Sequence, residues 1–286
     1  MKKLCIYGVR YCDIVLYIAR ILANMNFKVL VCDRSITKAV RYYLPVPDEI
    51  DLGRDAFEFC GFGYTYSARY MQQGAGTHAG ICTGDGYEDN AMAAEMPQSP
   101  FDYVIELCDA SAAACDFWDE ALNERTIRLF ITDELPDNVS AMKSAIRAMN
   151  KASGAIKELY DGERKETDRC GYFVVRDYSG KVTKVMDELI LEAGAAKNFL
   201  IPYSSKDRHL EILAACNEGF RFAGASERLL CLIESLCGDL GVRKPESRFK
   251  SAYSAAEKGK TLYTADHQIR YLPPRARNAK KYRQLS

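Results

Sequence analysis

The sequence predicts an α/β protein with a mostly parallel sheet and helices on both of its faces. Short apolar runs alternate with longer segments of period 3.6 through most of the chain. Leu4 to Ser35 reads as strand, tight loop, helix, strand, a crossover that is normally parallel and right-handed. A chain of 286 residues with 48% hydrophobic and 27% charged residues is long and apolar enough to bury such a core.

Each element has its own signal. Lys3 to Tyr7 is a continuous apolar run stopped by Gly8, as expected of a strand buried on both faces. Ile14, Ile18 and Leu22, with Val15, Ala19 and Ala23 beside them, make the core stripe of a helix that Asn24-Met25-Asn26 ends. Lys28 to Cys32 is the second strand, stopping at Asp33. From Arg34 to Pro100 the pattern loosens into glycines and aromatics; Ala56 to Cys60 reads as a short strand and Gln72 to Asn90 as a mobile loop. Tyr103 to Cys108 is the third main strand and 112–123 a helix, with Trp118 as packing. Ile127 to Thr132 is the fourth, and Pro136 opens a helix to about Met149. Lys151 to Arg169 reads as a helix end and a surface turn. Tyr172 to Val175 is a strand, Val182 to Glu192 a helix, and Asn198 to Ile201 a strand cut by Pro202. His209 to Cys216 and Ser226 to Leu240 are amphipathic helices. The composition shifts after Gly241, so we expect an α/β domain over 1–241 and an extension over 242–286.

Composition narrows the function. Eleven cysteines, with no CxxC pair, fit neither a disulfide framework nor a zinc module and point to a reducing cytosol. The apolar runs are too short to cross a bilayer, and Met1-Lys2-Lys3 reads as a strand start rather than a leader. Lys+Arg and Asp+Glu balance at 39 each, which disfavours nucleic acid as a partner of the whole surface. Charge is local instead: from Arg270 onward the chain carries Arg270, Arg275, Arg277, Lys280, Lys281 and Arg283 with no acid. That tail reads as a solubilising end or as an electrostatic contact with acidic lipid, nucleic acid or an acidic partner. His78 has no neighbouring ligand residue and makes a poor metal candidate. GVRYCD after the first strand lacks the GxGxxG of a dinucleotide enzyme. Cys12 has no paired base in the sequence and reads as core packing rather than a nucleophile.

Taken without gaps, Ile6 to Ser35 resembles the opening of the MinD/ParA family of deviant P-loop ATPases: strand, KGGxGKTT, helix ending LAxxLA, strand VLLIDxD. The helix here ends Ile18-Ala19-Arg20-Ile21-Leu22-Ala23 and the next strand reads Lys28-Val29-Leu30-Val31-Cys32-Asp33. Phe101-Asp102-Tyr103-Val104-Ile105 is similar to the family's YDYIIID, Phe130 to Glu134 to VVTxPE, Gly171 to Val175 to GxVxN, and Leu200-Ile201-Pro202-Tyr203 to IPYD. The resemblance implies a P-loop NTPase-like, three-layer α/β/α fold over about the first 240 residues.

Its chemistry has been replaced. In this register Ile6 stands where the signature lysine would be, Tyr7 at the first glycine, Arg10 at the third, Tyr11 at the phosphate-binding lysine, and Cys12-Asp13 at the two threonines; only Gly8 is retained. A working loop needs small residues so that backbone N–H groups can surround phosphates, and a lysine to neutralise them. Asp13 at the helix start can accept those N–H groups itself. It would also repel phosphate by about 4 kcal/mol at about 4 Å and an effective dielectric near 20. Asp33 matches the first acid of DxD, Ser35 replaces the second, Leu107 falls at the Walker B-like acid with Asp109 two residues on, and Arg176 takes the place of the adenine-contacting asparagine. Asp33 and Asp109 read mainly as strand-end acids capping loops.

Two functions follow as expectations. The first is a pseudo-ATPase with no cofactor, a homodimerising or docking scaffold that places a membrane-associated assembly, as the TadZ-type, MinD and ParA relatives imply, with the basic tail as a peripheral membrane contact. The second is an atypical nucleotide-binding protein or weak ATPase that takes ATP or ADP with magnesium through Gly8, Val9, Arg10, Tyr11, Cys12, Asp13, Asp33 and Asp109.

Overall fold

A computed structural model describes residues 2–8, 12–46, 48, 50–53, 56–66, 101–110, 126–159, 171–181, 184–205, 207–209, 212, 224–242 and 245–258. Eight strands form one sheet: β1 (Lys2–Gly8), β2 (Val29–Asp33), β3 (Phe57–Phe59), β4 (Phe62–Thr65), β5 (Tyr103–Cys108), β6 (Thr126–Thr132), β7 (Tyr172–Tyr178) and β8 (Lys197–Pro202). Their order is β3-β4-β2-β5-β1-β6-β7-β8, parallel throughout except for the β3–β4 pair. β1 lies between β5 and β6, with Cys5 opposite Glu106 and Gly8 opposite Ile131.

Helices cover both faces, as the alternating pattern predicts. α1 (Cys12–Asn24), α4 (Glu227–Asp239) and α5 (Pro245–Glu257) share one core with the sheet. α2 (Pro136–Leu159) and α3 (Lys184–Ala193) share the other, through Met142, Ile146, Met149, Met186 and Leu189 against Phe130, Phe173 and Val175. Thirteen of thirteen α1 residues are buried, because the sheet covers its apolar stripe and α4 and α5 cover its outer side. Arg20 is the largest of the buried side chains, and it donates to the Cys60 carbonyl in the turn between β3 and β4. Ser226 caps α4 by accepting from the Leu229 N–H at 3.4 Å.

The core continues past the boundary expected after Gly241. Phe249, Ala252 and Ala256 of α5 join the α1 core, Asn24 Nδ2 donates to the Ala252 carbonyl at 3.0 Å, and Tyr17 meets Tyr253 at 6.3 Å. At the other end of the sheet the strand starts hold the last turn of α4. Lys2 and Tyr103 donate to the Leu240 carbonyl, Tyr172 to Asp239 at 2.6 Å, and Lys197 pairs with Asp239 at 2.8 Å. These cations sit where the helix dipole favours them.

Three elements differ from the sequence reading. β4 falls in the loosely patterned stretch to which the sequence assigns no element; it pairs with β2 through Gly63, whose missing side chain leaves only Phe62, Tyr64 and Thr65 to signal a strand. α2 runs ten residues past Met149, through a stretch where Ser153 and Gly154 interrupt the helical pattern in the sequence. β7 extends three residues past Val175. The loop 72–90 with His78, the helix 112–123 with Trp118, most of 209–216 and the basic tail lie outside the described residues. No helix among the described residues is long and apolar enough to cross a membrane.

Candidate functional site

The candidate site lies at the C-terminal end of β1, where the strand feeds α1. Gly8 ends the strand at φ 125°, and a Cβ there would stand 1.8 Å from the Ile131 carbonyl oxygen and 2.9 Å from Met142 Cε. Its retention therefore has a local cause, the close approach of β6, independent of any ligand. Tyr7 points into the core and stacks on Phe130 at 5.2 Å. Cys12 is buried, in keeping with packing. Val9, Arg10 and Tyr11 lie outside the described residues.

Asp13 occupies the first turn of α1 and is 2% exposed. Its Oδ1 accepts from the Ile14 N–H at 2.8 Å. Its main partner is Arg176, 3% exposed, which grips it with both terminal nitrogens, Nη1 to Oδ1 at 3.1 Å and Nη2 to Oδ2 at 2.9 Å. A carboxylate therefore occupies the helix start and a guanidinium faces it, an arrangement that satisfies dipole and charge inside the protein. That Asp13 accepts a helix N–H is what its position in the sequence leads one to expect; the sequence names no partner for its charge. Arg176, read there only as a lost adenine contact, supplies it from 163 residues away. The nearest signal was the end of β7: the β7–β8 register shifts between Val175 and Tyr178, and Asp177 takes φ 53°. Such an irregularity re-aims a side chain.

The remaining acids accept hydrogen bonds from nearby loops and strands. Asp33 is fully buried; it accepts from the Ser35 N–H at 3.0 Å, the Ser35 hydroxyl, and the Tyr64 hydroxyl at 3.1 Å. Burial pushes its carboxyl above the usual range, against the lowering effect of those hydrogen bonds and Lys38. Asp109 accepts from the Ile36 N–H at 2.7 Å, which ties the loop after β2 to the end of β5. Asp133 accepts from the Leu135 N–H at 3.0 Å and Asn138 Nδ2 at 2.8 Å at the start of α2, and Glu134 from the Ser179 N–H at 2.8 Å. Leu107 is buried in the core. The structure thus joins Asp13 to Arg176 and leaves Asp33 and Asp109 in a separate group around the end of β2.

One buried charge escaped the sequence reading. Glu106, fully buried in the middle of β5, pairs with Lys3 at 2.5 Å and Arg34 at 2.6 Å and accepts from the Cys5 thiol at 3.6 Å. Burial alone would raise its carboxyl, but the two cations outweigh that and hold it below the ordinary value. An acid amid apolar strand residues was the available signal. Near it, burial and then the Glu106 charge push the Cys32 thiol up to about 12, which leaves it inert. Among the described residues no group of three or more His, Cys, Asp or Glu side chains is arranged to hold a metal ion.

No protein-family model and no curated protein matches the chain. Solved structures are similar to it at low identity. The MinC:MinD cell division protein complex of Aquifex aeolicus has a TM-score of 0.49 at 12% identity, over 83% of this chain and 96% of that one. A ParA family ATPase from Chlorobium tepidum TLS has a TM-score of 0.43 at 14% identity, over 89% of this chain and 97% of that one. At these identities the likeness concerns chain course and says nothing of ligands or chemistry.

Proposed function

We propose that this protein is a nucleotide-free scaffold of MinD/ParA-like descent, one in which the phosphate site is closed from within and the fold serves to dock protein partners. The observation that carries the reading is the buried Asp13–Arg176 pair, with both members about 97% or more out of solvent. A phosphate at the α1 start would have to displace a carboxylate already bonded to the helix and to a guanidinium. It would also meet the charge of that carboxylate. Tyr7, at the position of a small loop residue, is committed to the core by its stacking on Phe130. The sequence carries no lysine between Leu4 and Phe27 to neutralise a phosphate. Docking at a membrane-associated assembly, with the basic tail as an electrostatic contact, remains part of this proposal and rests on the sequence resemblance.

The nucleotide-binding alternative draws less support from the geometry, since Asp33 already accepts hydrogen bonds within its own loop and Asp109 accepts one from the loop after β2. Calorimetry separates the two. Titrating magnesium with ATP or ADP into the purified chain at millimolar concentration is expected to give no saturable heat. Saturable binding that Asp33→Ala abolishes would overturn the scaffold reading.

A further inference from the structure

We draw no further inference here: the strongest candidate, the buried Asp207 carboxylate between the segment after β8 and the start of α4, keeps one oxygen without a hydrogen bond, but that oxygen is sealed from solvent, the other accepts from the Ser226 N–H at the head of α4 at 2.9 Å, which makes the residue a partner of that helix start, and nothing in the structure shows a ligand reaching it.

Discussion

Breaking the Asp13–Arg176 pair from each side should give unequal costs. Asp13→Ala removes the carboxylate and leaves the Arg176 guanidinium, 3% exposed, without the two hydrogen bonds it makes there. Removing one member of a buried pair costs about 3–5 kcal/mol. Loss of the bond to the Ile14 N–H adds about 1 kcal/mol. Arg176→Met leaves a buried carboxylate, but one still bonded to Ile14 and lying at the positive end of α1, which offsets roughly 1–2 kcal/mol. Asp13→Ala is therefore the worse of the two by about 2–3 kcal/mol. The double variant replaces the pair by apolar groups and should cost far less than the two losses combined, with a coupling of at least about 2 kcal/mol. Thermal unfolding reads this directly: Asp13→Ala should lower Tm by roughly 8–24 °C, at about 2–4 °C per kcal/mol for a chain of this size class. If both single variants melt within about 1 kcal/mol of wild type, the pair is not a buried ion pair and the closed-site reading loses its basis.

Two further outcomes are expected. Gly8→Ala forces a Cβ to within 1.8 Å of the Ile131 carbonyl oxygen at a φ that side chains resist. Backbone strain of about 1–3 kcal/mol and displacement of β6 by a similar amount should leave little folded protein, and a variant melting like wild type would contradict that packing. Glu106 titrates below its ordinary value of 4.5 in the folded chain, so the unfolded chain binds its proton first and stability falls as pH drops from about that value. Glu106→Gln should be less stable at neutral pH and should flatten that acid slope; denaturant melts from pH 7 downward measure both.

The crossover at the start of the chain was legible because every signal agreed. The run before Gly8, the α1 stripe and the strand ending at Asp33 are local patterns, and the structure places all three within a residue or two of expectation. β4 was not legible, since Gly61 and Gly63 speak for a loop and only pairing with β2 overrides them. The site divided along the same line. That Asp13 would serve the α1 start could be read from its position. That Arg176 would close on it could not, because long-range ion pairs leave no spacing to count. Glu106 is the mirror case: its partners are Lys3 of β1 and Arg34 directly after β2, and only the strand order β2-β5-β1 brings both cations to one carboxylate.

The burial of α1 sets the timetable of synthesis. The outer face of α1 is sealed by Phe249, Ala252 and Ala256 of α5, more than two hundred residues later. At about 5–20 residues per second, α5 follows roughly 12–45 s behind. Through that interval the outer side of α1, Tyr17 included, lacks its cover, although β5 and β6 flank β1 well before α5 is made. A ribosome stalled before Pro245 would present all eight strands with the outer side of α1 still open.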